Sequence, residues 1–458
     1  MKAWEYAKNI VDNAKGHIVI EDDEDWTQSA SQKHEMNKIR TMWHSKAPGS
    51  GAPACLIAGA IQSVENMGRD VSKAEEYFKE GIRAYSNNDD AALMKYTSKI
   101  FQALSKAPKD KDSDYWNYEE YKTWEQFKNA SNFINKIDID EGRLENQIYW
   151  GWMGQICAGS FGTALEGYSR ETIKRDFGKV ESYLKKPSAY NDDITFEIAF
   201  LLAMNEYGKK IKSEYIADYW ISLIPYAWSA EDIALKNLFL GILPPYSGRQ
   251  NNPYKEWIGA QMRGAICGMV APGNPLEAAR LAWIDGQISH YNNGIIGEVF
   301  NAVMTSLAFV EKDIRKIIVD TIEILPSKSQ YYSVVKFALE TCKKVNTAEE
   351  AFIICEEQFK KYNLVHAYPN AAIEVIALWF GNGDYDKTIY LVGLGGLDVD
   401  CNAGQVGNVV GILNAENGLN KKWVQPMGTI FKTYLRNYDT ISISELVELT
   451  LKSIDSMK

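Results

Sequence analysis

From Glu141 to Leu413 the chain reads as one helical segment after another, and convincing two-residue alternation of the kind a strand needs is nearly absent. Apolar residues recur three and four apart in Phe196–Tyr207, where Phe196, Ala199, Phe200 and Ala203 fall on one face. Ser213–Ile224, Ser229–Leu240, Trp257–Ile266 and Pro275 to about Ile288 read the same way. So do Glu298–Lys312, Asp313–Leu325, Ser327–Lys344, Ala348–Tyr362, Asn370–Phe380 and Tyr385–Leu394. A turn is expected over Gly268…Pro272-Gly273. Ten or more such segments admit one architecture, an all-α, large helical bundle.

Two glycine-rich stretches stand out inside that pattern. Arg143–Leu165 is a long apolar run interrupted by Gly151, Gly154, Gly159 and Gly162, and it ends in Glu166-Gly167. Glycines at this spacing weaken the isolated helix and allow another helix to approach closely. The second stretch runs from Gly393-Leu-Gly-Gly-Leu-Asp398 through Val399-Asp400-Cys401-Asn402 into a small-residue helix from about Ala403 to Leu413. Asp398 and Asp400 cannot share a helical face, since positions two apart are about 200° apart around the axis. In a loop that opens a helix they can aim at one point, as oxygen ligands of Mg²⁺ or Mn²⁺ do. The competing explanation is helix capping, which Asp favours. The same two readings apply to Asp192 and Asp193 in Asn191-Asp-Asp-Ile-Thr195. Glu166 follows a helix C-terminus, where an acid opposes the helix dipole, and His290 follows an apolar helix, where the dipole favours it.

Residues 1–140 differ in texture. Trp4–Lys15 and Ala54–Met67 read as helices, Val71–Tyr85 and Asp89–Ala103 as a charged pair, and Pro48-Gly-Ser-Gly51 and Pro108–Ser113 as loops. The aromatic and acidic run Trp116–Trp124 reads as a segment packed on a neighbouring surface. No catalytic grouping is present, so residues 1–140 are expected to form a helical accessory region or lid beside a second unit over 141–458.

Composition narrows the function. The formal net charge of −10 over 458 residues opposes bulk nucleic-acid binding, which relies on a cationic surface. No apolar run reaches the ~18 residues of a membrane span, and no signal-type core opens the chain. Six scattered cysteines without a C-x-x-C pair argue against zinc or a disulfide framework and for a reducing, cytoplasmic setting. Thirteen Trp and 26 Tyr suit aromatic pocket walls.

In order along the chain come Gly151–Gly167, Asn191–Thr195, Ala271-Pro-Gly-Asn-Pro275, Ala282-Trp-Ile-Asp285, Ser289-His290, Gly294–Glu298 and Leu397–Asn402. From about 141 to 458 this series resembles the ADP-ribosylglycohydrolase family, of the dinitrogenase reductase-activating glycohydrolase type. The resemblance implies an orthogonal helical bundle whose cleft holds two Mg²⁺ or Mn²⁺ ions. It implies Asn191, Asp192, Asp193, Asp398, Asp400 and Cys401 at the metal positions, with Asn191 and Cys401 standing where threonines are common. A neutral thiol is a poor ligand for a hard ion. It implies Glu166, Asp193 and Asp398 as catalytic carboxylates and His290 on the ribose side. Arg263, Gly264 and Gly268 would face the phosphates, in place of the family's usual Asn-Gly-x-x-Met-Arg loop. The implied activity is metal-assisted hydrolysis at the anomeric carbon of an ADP-ribosylated protein or a small ADP-ribose conjugate. The Asn191 and Cys401 departures leave open a second role, a cleft that binds a nucleotide derivative without cleaving it.

Overall fold

Glycine seams decide how the centre of the molecule is assembled. In the computed structural model, which describes residues 2–16, 18, 29–52 and 54–457, the helices Glu141–Gly162 and Val399–Leu413 run in close contact. A Cβ on Gly407 would lie 2.6 Å from the Gly154 carbonyl oxygen, and one on Gly162 would lie 2.5 Å from the Asp400 Cα. Side chains at these positions would force the two backbones apart, so the glycines set the spacing on which the aspartates depend.

Helices Asn293–Ala308, Ala367–Gly381 and Val399–Leu413 are apolar nearly all round and buried on nearly every face, as expected of helices in the middle of a large core. Pro275–Gly286, Gly264–Val270, Asp193–Tyr207 and Gln330–Lys344 pack around them. Among the described residues there are 23 α-helices and one two-stranded antiparallel hairpin, Ile430–Leu435 with Tyr438–Ser442, in which Phe431 faces Ile441. The all-α bundle is therefore observed, and no helix among the described residues is long and apolar enough to cross a membrane.

The N-terminal helices Leu56–Asn66, Ser72–Ser86 and Asp90–Ser105 build a smaller core around Trp43, Ile57, Leu93 and Ile100. Tyr254 and Trp257 of the main body complete that core, and the Tyr254 hydroxyl donates to the Leu56 carbonyl at 2.9 Å. Within the aromatic run, the Trp116 indole donates to the Gly68 carbonyl at 2.9 Å, while Tyr121 is buried on the main body.

Local pattern and structure part in several places. Ser29–Trp43 is a helix that the sequence reading passed over, because its polar residues carry little apolar periodicity. Trp257–Ile266 is not one helix. Ile258 donates to the Val365 carbonyl and Trp257 bridges to His366, so this segment pairs with another loop before a short 3₁₀ turn, Gln261–Arg263. Gly268 then lies inside the helix Gly264–Val270, not in a turn.

Candidate active site

Asp398 occupies the N-cap position of Val399–Leu413, and Asp192 that of Asp193–Tyr207. Neither side chain makes a capping hydrogen bond. Capping, the ordinary reason for Asp at such positions, therefore does not account for them. The Asp398 backbone is held from outside the helix. Its N–H donates to Asn370 Oδ1 at 3.2 Å, while Leu397, at φ 63°, is pinned by Gly167 N–H donating to its carbonyl and by its own N–H donating to the Tyr168 carbonyl. A left-handed leucine is strained, and such strain persists only where surroundings enforce it. Asp398 and Asp400 both line one cavity at this helix start.

The Asn191–Asp193 segment meets them from the other side. Asn191 Nδ2 donates to Asp193 Oδ2 at 2.7 Å, and the Thr195 hydroxyl donates to the Asn191 carbonyl, also at 2.7 Å. Gly159 lies against this pair, where a Cβ would sit at ordinary contact distance, 3.6 Å, from Asn191 Nδ2, Asp193 Oδ2 and the Asp400 carbonyl. Asp192, Asp398, Asp400 and Glu166 line one cavity of about 360 Å³, with Asp193 one layer deeper.

Electrostatics mark the cluster as charge-frustrated. Burial, then the charges of Asp400 and Asp192, push Asp193 well above the usual carboxylate range. Burial and Asp400 do the same to Asp398, and burial then Asp192 lift Asp400 to about 6. Glu166 is also raised well above its ordinary value, by burial and by the Asp400 and Asp398 charges. Among the described residues, no Lys or Arg lines the cavity. Asn191 Oδ1, Asp193 Oδ1 and Asp400 Oδ1 are buried without a hydrogen-bond partner. Buried polar atoms are rarely left so. Orphaned oxygens converging among uncompensated carboxylates fit a hard divalent cation, which takes oxygen ligands.

Cys401 fits differently. Its sulfur lies with donor oxygens of Asp398 and Asp400 in a group whose atoms are all within 4.8 Å of one another. Burial and four surrounding aspartates hold the thiol neutral, and its hydrogen bond runs to Met262 Sδ at 3.7 Å. A neutral thiol is a poor ligand for a hard ion, so its expected place among the ligands would require the thiolate.

Four other expected contacts are not brought to the cavity. Arg263 is 1% exposed and closed within carboxylates, with Nη1 2.9 Å from Glu231 Oε1, Nε on Asp285, and Glu298 at 3.9 Å. It also donates to the Gly259 carbonyl and Ser289 Oγ, and it is not among the residues that line the cavity. Gly264 and Gly268 face helix Asn293–Ala308, where a Cβ would strike the Glu298 and Ala302 carbonyls. They serve helix packing, and their N–H groups are not presented to the cavity. His290 is fully buried, with Nδ1 2.7 Å from Ser289 Oγ, and burial and Arg263 hold it neutral. These four positions are corrected from substrate contacts to internal structure.

The cavity also contains groups that the sequence reading missed. Glu231 lines it, lifted to about 7 by burial against the pull of Arg263. Aromatic walls come from Tyr190, Tyr226, Trp228 and Tyr434, with Tyr226 and Tyr434 stacked at 4.8 Å and 15°. Tyr434 belongs to the hairpin, whose Ile430–Leu435 alternation was a readable strand signal. Ala47, Ser50, Ala52, Ala54 and Leu56 form a further wall from the N-terminal region.

Fold and site together define an all-α protein with a buried anionic cavity of small-ligand size. The chain belongs to the ADP-ribosylglycohydrolase family, whose model matches residues 140–453. Among solved structures, an "ADP-ribosylglycohydrolase-related protein complex" is 13% identical with a TM-score of 0.49, covering 69% of this chain and all of that one. No curated protein matches the chain. The family supports a glycohydrolase-type function and is typically metal-dependent.

Proposed function

We propose that this chain hydrolyses the bond at the anomeric carbon of an ADP-ribose-like substrate, either an ADP-ribosylated protein or a small ADP-ribose conjugate. The observation that carries the reading is the set of buried aspartates at two N-cap-type helix starts. Neither N-cap aspartate caps its helix, and among the described residues no Lys or Arg lines the cavity beside them. Asp192, Asp193, Asp398 and Asp400, with Asn191 Oδ1, would hold Mg²⁺ or Mn²⁺, two ions in all. When bound, such cations supply a water of lowered pKa and positive charge for the sugar hydroxyls.

The chain's own residues do the rest. Asp193 and Asp398 fix the reacting centre, the former braced by Asn191. Glu166, on the same cavity wall, orients the attacking water or carries a proton to the leaving atom. Water oxygen bonds to the anomeric carbon, the glycosidic bond breaks, and the water's proton ends on the leaving group. Tyr190, Tyr226 and Trp228, each partly exposed at the cavity, offer ring faces to a base. Six unpaired cysteines suit a reducing cytoplasm for this reaction.

The test incubates the purified protein with ADP-ribosylarginine, ADP-ribosylserine peptides and other ADP-ribose conjugates, in Mg²⁺, Mn²⁺ or chelator. Metal-dependent release of ADP-ribose, lost in Asp398→Asn and Asp193→Asn, is expected. Absence of release across the panel from metal-loaded protein refutes the proposal.

A further inference from the structure

Arg263, Gly264 and Gly268 belong to internal structure, and among the described residues no Lys or Arg lines the aspartate cavity. Phosphate oxygens are bound best by charged donors, so the phosphates of an ADP-ribose unit call for a cation outside that cavity. A second cavity, of about 540 Å³, adjoins the first. Tyr190, Tyr226 and Tyr434 line both. Their rings form one layer: Tyr434 stacks on Tyr226 with centroids 4.8 Å apart and planes 15° from parallel, and Tyr190 lies 5.5 Å from Tyr434. Tyr190 is 51% exposed and Tyr226 44%, so the layer is an open rim between the two cavities.

The hairpin supplies the cation. Alternation along Ile430–Leu435 buries Phe431, Thr433 and Leu435 and leaves Ile430, Lys432 and Tyr434 outermost. The hairpin turn is anchored, since Arg436 N–H donates to the Leu223 carbonyl at 2.8 Å and its Nη1 to the Ile221 and Ser222 carbonyls at 3.1 and 3.2 Å. Arg436 is thereby tied to the end of helix Ser213–Leu223. Lys432 is not tied. It lines the second cavity and, among the described residues, has no ion pair, with Asp439 of the same cavity outside pairing distance. Thr440, its partner across the hairpin, lines the same cavity and adds a hydroxyl donor. We propose that this second cavity is the substrate's phosphate subsite: with the anomeric carbon at the aspartates, the diphosphate crosses the tyrosine rim and is bound by Lys432. The proposal rests on the reading of the ligand as ADP-ribose-like, and it moves phosphate recognition from Arg263 to the hairpin.

Calorimetric titration of the full chain in Mn²⁺ tests it, with ADP-ribose as the probe and adenosine as the phosphate-free comparison. Lys432 occupies an exposed strand position, so its replacement leaves the core intact. Lys432→Ala is expected to weaken ADP-ribose binding about tenfold or more, the size of one charge-assisted hydrogen bond, and to change adenosine binding by less than about twofold. Lys432→Arg, which keeps the cation, should stay within about threefold of wild type for ADP-ribose. Added NaCl should weaken ADP-ribose binding more steeply in wild type than in Lys432→Ala. Unchanged ADP-ribose affinity in Lys432→Ala overturns the proposal, as does an equal loss for adenosine or a wild-type protein that does not bind ADP-ribose. Hydrolysis is read separately. Lys432-dependent binding by a protein that releases ADP-ribose from no conjugate upholds the subsite and refutes the hydrolase, and hydrolysis indifferent to Lys432 does the reverse.

Discussion

Gly162→Ala separates the packing argument from the binding argument better than any change to a carboxylate. The added Cβ would stand 2.5 Å from three atoms, Asp400 N, Asp400 Cα and the Val399 carbonyl oxygen, all backbone and none able to swing aside. Ordinary contact starts near 3.4 Å, so the start of helix Val399–Leu413 must retreat by about 1 Å. Overpacking of this kind costs about 1–3 kcal/mol. Against it stands the helix-propensity gain of alanine over glycine, about 0.5–1 kcal/mol and smaller at a helix end. The net loss is about 1–2 kcal/mol. With an unfolding entropy near 2.1 cal/mol/K per residue over this length, that shifts Tm by only ~1–2 °C.

Metal affinity is the larger readout. Ligand distances tolerate about 0.2 Å, so a ~1 Å displacement of Asp400 exceeds what a site can absorb. Calorimetric titration of Mn²⁺ should show at least about tenfold weaker binding. Gly404→Ala is the matched control on the partner helix. Its Cβ would meet nothing closer than Gln155 Cγ at 3.7 Å, so the propensity gain stands alone and Tm in chelator rises by up to ~1 °C. If Gly162→Ala binds Mn²⁺ like wild type, or if both alanines behave alike, the glycine seam does not set the position of the aspartates.

Asp400→Asn should act with opposite signs with and without metal. Asp400 is lifted from 3.8 to about 6, so in metal-free protein its ionisation opposes folding as pH rises from about 4 through 6, by an upper figure of ~3 kcal/mol. Asparagine removes that loss, so Tm in chelator at pH 7 should rise while metal content falls, and an unchanged pH–stability profile in chelator would refute the charge-frustration account. Tyr115→Phe removes the donor that holds Glu256 Oε1 at 3.1 Å across the junction of the N-terminal region and main body. Glu256 is lifted by burial from 4.5 to about 7, so its ionisation opposes folding increasingly between those values, and Tyr115 relieves only the ionised form. The variant should lose about 1–3 kcal/mol above pH 7 and less at pH 5, as read by denaturant unfolding at the two pH values; equal losses would contradict the assignment. Arg263→Met leaves Asp285, Glu231 and Glu298 buried without their cation and should cost about 3–5 kcal/mol in chemical denaturation. A stable Arg263→Met protein with only a raised KM would restore the phosphate-binding reading.

The helical bundle was legible because apolar spacing is a local property, and helix after helix carries it. The close approach of Glu141–Gly162 to Val399–Leu413 was partly legible in the glycines. Arg263 was not, because its environment is made by Glu231, Asp285 and Glu298 from three helices brought together by the fold. Gly264 and Gly268 illustrate the ambiguity of a small-residue pair four apart. The same spacing suits a backbone cradle for phosphate or a face pressed against another helix, and only the carbonyls of Glu298 and Ala302 decide for the second. The cavity wall made by residues 47–52 was illegible for the same reason. Nothing near Gly49 in the sequence indicates that its N–H meets the carbonyl of Glu166, 117 positions later.

The two aspartates at helix starts show where a failure of local rules becomes informative. Local propensity assigns Asp192 and Asp398 to capping, a bond typically worth about 1 kcal/mol at each helix. Both occupy the capping position and neither forms the bond. Their carboxylates turn instead into a region where burial and the charge of Asp400 already raise Asp193 and Glu166. Stability is forgone twice, first in the missing caps and again in the repulsion, and no Lys or Arg among the described lining residues recovers it. Sequences that break a local rule without internal compensation do so at functional sites. Conflict at two helix starts 206 positions apart, resolved by one cation-binding chemistry, is a stronger argument for the site than either Asp-Asp or Asp-x-Asp taken as a motif.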